Sequence, residues 1–336
     1  MLTILRLLII AGTCLLGGNQ AHASCSPTVP PPTIYVGSDN KCDYATIQAA
    51  IDSVSTTATC APNIVISAEH AWTAQQLTIT NRSLSLIGTA GNCGVGGTTG
   101  ITGTIDLPAA TLTSPQVTIS GAGHTGDSVI SINGNSNVTL QYLEISGGNE
   151  NDSGSHGGGS YFNATGSLTL NATTVDHNYA YYGAGIYFNG AHANGTDSTL
   201  YLNDYVEILN NTAQYSGGGV FIEGYAQMRM LSKLASTIAF NTARGINPSN
   251  HNATEGYGGG VRAIAPASAI IGSPGALVGA IALNSAVRGG GIAVDGGQSV
   301  GYAMILSTVA NAPTSIDSNT ASAAGGGIYL KEHYGV

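Results

Sequence analysis

Six side chains in this 336-residue sequence could build a contact face: Tyr187, Phe221, Glu223, Arg262, Asp295 and Tyr329. Each stands one or three places after an aliphatic residue that closes a glycine cluster. Alternate residues of a strand share a face. If Ile186, Val220, Val261, Ile292 and Ile328 point into a core, the six point outward as one exposed strip, beside Asn189, Ile264, Ala293 and Lys331. Aromatic rings, a carboxylate and an arginine on such a strip could hold a polysaccharide by ring stacking and hydrogen bonds. The competing use of the same residues is cross-strand packing under a loop, or an ion pair in water.

Other local groupings are less specific. Asp176-His177 could be an acid/base pair, but it precedes an asparagine and reads rather as ordinary corner polarity. Glu150, Asn151 and Asp152 offer Ca²⁺ hard oxygen ligands. Two carboxylates are few for a tight site, so the loop reads as solvated and no cofactor is expected. His156-Gly157-Gly158-Gly159 has the form of an oxyanion-hole string, yet the chain has no G-x-S-x-G elbow to use it, and it reads as a glycine corner.

The elements that must position these residues repeat. Asn178, Asn211, Asn241, Asn284 and Asn319 are each followed by a cluster, at Gly183-Ala184-Gly185, Gly217-Gly218-Gly219, Gly258-Gly259-Gly260, Gly289-Gly290-Gly291 and Gly325-Gly326-Gly327. Three places before each asparagine stands Val175, Ile208, Ile238, Ile281 or Ile316. Recurrence every 31–41 residues predicts a stacked-repeat architecture. Each unit reads as strand, corner, strand. β-Branched residues suit a half-buried pleated surface, asparagine tolerates the left-handed backbone of a corner, and glycines let neighbouring coils approach closely. One unit cannot bury its apolar face alone. With no helical pattern between units, the prediction is an all-β, right-handed, single-stranded parallel β-helix.

At these motifs the chain resembles the repeats of chlamydial polymorphic outer-membrane proteins and related bacterial β-helix proteins of the pectin-lyase-like superfamily. The resemblance covers residues 170–330, and more loosely the chain from 33 onward. The family pattern has Phe where this chain has Val or Ile, and Gly-Gly-Ala where it has Gly-Ala-Gly or Gly-Gly-Gly. It implies a surface protein or a polysaccharide-active enzyme. Lyases of that superfamily use acidic Ca²⁺ ligands with a Lys or Arg base, and polygalacturonase-like hydrolases use clustered aspartates with a Gly-His-Gly. The three lysines and the five arginines beyond Arg6 fall in no such motif, and Gly123-His124-Thr125-Gly126-Asp127 is a near miss to the second.

Residues 1–23 read as a signal peptide: Arg6, an apolar core over 7–16, and Ala21-His22-Ala23 for cleavage. Beyond it, Cys25, Cys42, Cys60 and Cys93 form an even set, which in an exported chain implies disulfides. Three pairings are open; sequence proximity favours Cys25–Cys42 with Cys60–Cys93. Residues 24–62 read as a Pro-rich leader and a capping helix. Asp43 is the expected N-cap, and Ile47, Ala50, Ile51 and Val54 share one face. Tyr44-Ala45-Thr46-Ile47-Gln48-Ala49-Ala50-Ile51-Asp52 resembles the segment that opens many pectate-lyase-like β-helix proteins, where it covers the first coil.

The solenoid is expected over 63–336, about ten coils stacked at ~4.8 Å. Its departures fall at 147–159, 244–257 and 224–236, the last with slight helical character. Only 8% of residues are charged, and the net charge is −9. That balance argues against nucleic acid and anionic membrane surfaces as partners. After signal cleavage no membrane-spanning segment is expected. Polysaccharide or another surface protein are the partners the residues fit. The expectation is a secreted or cell-surface β-helix with a binding, adhesive or structural role and no catalysis. The alternatives are a polysaccharide lyase or glycoside hydrolase, and a passenger fragment of a larger surface protein.

Overall fold

The computed structural model describes residues 31–331, apart from 39–40, 58–59, 92, 94–113, 151, 153, 194–195, 231–235, 247–254, 272–278, 297–302 and 306–314. The expected signal peptide and Cys25 lie outside the described residues.

The chain winds as a parallel β-helix. Its main wall runs through ten strands in the order Thr33–Val36, Asn63–Ser67, Ser83–Thr89, Ile130–Gln141, Ser160–Asn171, Ile186–Gly190, Val220–Gly224, Val261–Ile264, Ile292–Asp295 and Ile328–Lys331, all paired in parallel. A seven-stranded wall from Val117–Ser120 to Ser315–Asp317 and a five-stranded one from Tyr179–Tyr182 to Thr320–Ala324 close the tube. Ile186, Val220, Val261, Ile292 and Ile328 stand in one register file, as their spacing predicts. Phe162, Phe188, Ile222, Ala263, Val294 and Leu330 form the next inward file, with the rings of Phe162 and Phe188 stacked at 4.1 Å. On the seven-stranded wall Ile145, Val175, Ile208, Ile238 and Ile281 are fully buried. Burying each such side chain is worth about 1.5–3 kcal/mol, so the stacked files form one continuous core. The file is open at its last member, where Leu330 is 67% exposed.

Asparagine has a different task from the one its backbone tolerance suggests. The left-handed position belongs to the residue before it: His177, Asn210, Phe240, Leu283 and Ser318 have φ between 51° and 57°. That turn aims each asparagine inward. Asn178, Asn211, Asn241 and Asn284 each donate from Nδ2 to Oδ1 of the next asparagine at 3.0 Å. Each Nδ2 also reaches the carbonyl of an aliphatic residue one coil back, as Asn211 does to Val175 at 2.9 Å. The ladder starts at Gly148, whose N–H donates to Asn178 Oδ1.

The glycine clusters meet two demands. Gly183 opens its cluster at φ 58°, where a side chain is strained. At Gly219 a Cβ would lie 2.6 Å from the Gly260 carbonyl of the next coil, so the stacking distance itself excludes any side chain.

Three expectations change. The helix spans Ile47–Ser53 with Thr46, not Asp43, as N-cap, its side chain accepting from Ala49 N. Asp43 instead accepts from Tyr35 N at 2.8 Å, tying the leader to the first strand. The helix face is as predicted, with Ile47, Ala50, Ile51 and Val54 buried over the first coils. The stretch near 224–236 carries no helix in its described part. Ala226–Met230 is a strand, and Ala226, Met228 and Met230 alternate inward, which is the strand period. Finally, Cys42 is bonded to Cys93, so the pairing favoured by proximity is wrong. Cys42 and Cys93 are far apart in sequence but meet where Gly37 and Ser67 of stacked strands come together. Cys60 is disulfide-bonded as well.

Within the 147–159 departure, Asn149 bridges in parallel to Tyr179 and His156 to Tyr182, so both ends of it pair with the next coil. No helix among the described residues is long and apolar enough to cross a membrane.

Candidate functional site

Glycine clusters fix which residues come next to each other outside the tube. Tyr161, Tyr187, Phe221, Arg262, Ala293 and Tyr329 occupy one outward column, coil upon coil. Asn163, Asn189 and Glu223 are in register in the next column, as are Ile264, Asp295 and Lys331. The alternation read from the sequence therefore holds. The exposure does not: Phe221 is only 3% exposed and Arg262 5%.

Two things cover the strip. Its own rings stack on one another, Tyr161 on Tyr187 at 5.6 Å and Tyr187 on Phe221 at 5.2 Å, with planes within 18°. Coils about 4.8 Å apart impose this spacing on any column of aromatics. The ring faces are thereby occupied, and a sugar cannot stack on them; their edges are what the surface presents. The second cover is a rim from the adjoining edge, made by His156, Tyr182, Tyr215 and Tyr257. The His156 ring lies 5.3 Å from Tyr182 and 4.3 Å from Tyr187, and Tyr182 meets Phe221 edge-on at 5.5 Å.

Between strip and rim runs an open groove of about 430 Å³. Its charges are held in pairs. Arg262 Nη2 donates to Asp295 Oδ2 at 2.9 Å, and Lys331 Nζ lies 3.6 Å from the same oxygen. The Arg262 guanidinium also sits over the Tyr257 ring at 4.2 Å. Tyr187 donates its hydroxyl to Glu223, and Tyr215 donates to Glu255 Oε2 at 2.9 Å. Arg262 Nε and Nη1 are buried with no hydrogen-bond partner. Such donors carry a desolvation cost of about 1–3 kcal/mol each, offset in part by the Tyr257 ring beneath the guanidinium.

Burial governs the protonation states. It lowers the His156 pKa, against the opposing pull of Glu223, so the imidazole is neutral at neutral pH. It raises those of Tyr187 and Tyr215, helped by the phenols' hydrogen bonds to Glu223 and Glu255, so both stay protonated as donors. Arg262 is pushed down by burial and held up by Asp295.

All six residues expected on the strip stand on one wall, but the groove gathers Tyr187, Phe221, Glu223, Arg262 and Asp295, while Tyr329 lies at its end, 5.9 Å from the Tyr257 ring. The rim was missed. Its signal is an aromatic residue directly before the first glycine of a cluster: His156-Gly157, Tyr182-Gly183 and Tyr257-Gly258. Of the remaining candidates only His156 lines the groove. Asp176 and His177 pair at 2.8 Å, and neither lines the groove. His156-Gly157-Gly158-Gly159 is a glycine corner whose Gly159 abuts the Gly185 carbonyl. His124 N donates to Gly121 O, closing a turn. Glu150 is buried, and its pKa rises to about 7 through burial and then through Asp127 and Asp152. Among the described residues no three His, Cys, Asp or Glu side chains are placed to share a metal ion.

No protein-family model matches the chain. No curated protein matches it. Among solved structures, the crystal structure of the pectin methylesterase from Aspergillus niger in deglycosylated form is similar, at 16% identity and a TM-score of 0.41 over 89% of this chain and 93% of that one. At that level nothing about the groove passes from one protein to the other.

Proposed function

We propose that this chain is a carbohydrate-binding β-helix protein and that the groove beside Arg262 holds a neutral oligosaccharide segment. The observation that carries the reading is the balance of the groove. Arg262 and Lys331 face Asp295, Glu223 and Glu255, and each carboxylate is already held by a phenol or a cation. A polyanion would meet those carboxylates, and an apolar ligand would strip water from carboxylates and phenols without replacing its hydrogen bonds. Sugar hydroxyls both donate and accept, so they suit a lining of carboxylate oxygens and phenols. Rings presented by their edges add apolar walls rather than a stacking platform.

The groove suits binding without chemistry, which keeps an adhesive or structural role as the broader reading. The disulfide Cys42–Cys93 supports a chain exported by the 1–23 segment and working in the medium or at a cell surface. The test is titration calorimetry with neutral oligosaccharides of glucose, xylose, mannose and galactose, alongside a galacturonic acid oligomer. Wild-type protein binds one neutral series, and Glu255→Gln with Tyr182→Ala weakens it at least tenfold. Binding of the acidic oligomer alone would overturn the reading.

A second reading, a polysaccharide lyase or glycoside hydrolase, is favoured by one juxtaposition. Glu223 and a neutral His156 share the groove, a carboxylate and an imidazole within each other's field. Release of reducing ends or unsaturated products from any of these polymers, lost in Glu223→Gln, would establish it.

A further inference from the structure

After Gly190 the chain leaves the wall. His192–Ala193 pairs antiparallel with the start of Thr196–Leu202, whereas the other strand pairs among the described residues are parallel. His192 Nδ1 and Asp197 Oδ1 lie 2.7 Å apart, and the His192 ring sits 5.2 Å from Tyr225. Beneath it opens a second groove of about 390 Å³ on the neighbouring part of the wall.

Its floor follows from register. Asn137, Ser167 and Thr199 stack in one column, and Thr139, Thr169 and Tyr201 in the next. Ser167 Oγ donates to Asn137 Oδ1 at 3.0 Å, and Asn137 Nδ2 reaches Ser83 Oγ at 3.3 Å, so that column is held. The Thr199 and Tyr201 hydroxyls, the Asn135 amide and the second carboxylate oxygen of Asp197 have no hydrogen-bond partner among the described residues. No Lys, Arg or His lines the groove, and Asp197 is its one acidic group. An anionic ligand would find no countercharge and one repelling carboxylate. An apolar ligand would strip water from amides and hydroxyls without replacing the hydrogen bonds. A ring carrying several hydroxyls satisfies donors and acceptors alike.

We propose that this second groove is a binding subsite for a neutral saccharide, separate from the one beside Arg262. It rests on the proposed function only in sharing a ligand class. Tyr187 of the first groove and Thr199 of the second belong to one coil. The parallel span in the preceding coil, Tyr161 to Ser167, covers six residues, within roughly 20 Å of strand. Two sites so close on a rigid wall engage one polymer at high effective concentration, so a long glycan binds more tightly than a short one without any new contact.

The experiment compares wild type, Thr199→Arg, Asp197→Ala and Glu255→Gln, each checked for a wild-type circular-dichroism spectrum. The probes are neutral trisaccharides of glucose, xylose, mannose and galactose and the corresponding polymers. Two trisaccharides bind wild type, one binds Thr199→Arg, and polymer affinity falls at least tenfold in Thr199→Arg and measurably in Asp197→Ala. A single site lost in Glu255→Gln and untouched by Thr199→Arg overturns the second groove and leaves the proposed function standing. A single site lost only in Thr199→Arg supports the second groove and removes the first. Binding of no neutral probe at all removes both.

Discussion

Asn211 Oδ1 receives two hydrogen bonds from Asn178, one from the backbone N–H and one from Nδ2, both at 3.0 Å. The same pair of bonds recurs from Asn211 to Asn241, from Asn241 to Asn284 and from Asn284 to Asn319. A corner that leaves the sheet ladder would strand a buried N–H in every coil. The amide side chain one coil on satisfies it, and stacking makes each asparagine both host and guest.

Replacing a middle member breaks both relationships. Asn241→Ala strands the Asn211 N–H, removes the Asn241 Nδ2 bond to the Ile208 carbonyl, and takes one of two hydrogen bonds each from Asn211 Nδ2 and Asn284 Oδ1. Each buried unsatisfied group costs about 1–3 kcal/mol, with sub-additive sums in a network. The expected loss in a urea melt is about 3 kcal/mol or more. Asn319→Ala, at the half-buried end of the ladder, costs about 1 kcal/mol. Equal losses at the two positions would mean the ladder does not hold the corner.

One member of the first inward file is out of character. Ser160 lies between Ile130 and Ile186 in register, is buried, and its hydroxyl has no partner. Val220 and Val261 show that valine fits the file. Ser160→Val removes a stranded hydroxyl and adds apolar burial, and raises stability by about 1–2 kcal/mol. A fall in the urea midpoint would show that the hydroxyl is satisfied or the site too tight.

Glu150 makes stability depend on pH. The residue is 9% exposed, and burial, then Asp127 and Asp152, raise its pKa from 4.5 to about 7. A raised folded-state pKa means the folded protein binds the proton more tightly than the unfolded chain. The contribution is complete below about pH 4.5 and is lost as pH rises to about 7. Glu150→Gln keeps the shape without the charge. It leaves Tm unchanged at pH 4 and raises it by on the order of a few degrees at pH 8. Identical Tm shifts at both values would place the titration elsewhere.

The sequence exposes what the backbone repeats and hides what depends on a neighbouring coil. Gly219 cannot be replaced because the Gly260 carbonyl is there, and this demand recurs at the same place in each coil, so the clusters are visible in the letters. Asn241 is visible as a corner residue, but its inward aim follows from the left-handed turn at Phe240, which propensity assigns to the asparagine. The strip from Tyr187 to Asp295 follows from strand alternation alone. Its cover does not, because whether Tyr182 and Tyr257 lean over that strip depends on the angle at which two walls meet. The aromatic before three of the clusters, His156, Tyr182 and Tyr257, is legible only once the groove is known.

Disulfide pairing carries the same lesson and the last test. Cys42 follows the first strand of the main wall and Cys93 the third, so a bond between them clamps the helix-capped end across stacked coils. Peptide mapping under non-reducing conditions recovers Cys42 joined to Cys93, and a Cys25–Cys42 peptide in its place would contradict the structure. Closing a span of 51 residues removes unfolded-state entropy worth about 4 kcal/mol in the loop-closure account. Cys42→Ser with Cys93→Ser therefore lowers the urea midpoint and frays the capped end first. Hydrogen exchange detects this as lost protection over Asn63–Ser67 and Ile47–Ser53, while Ile208, Ile238 and Ile281 in the middle of the tube keep theirs. Uniform loss along the tube would show that the clamp acts on the whole solenoid as one cooperative unit.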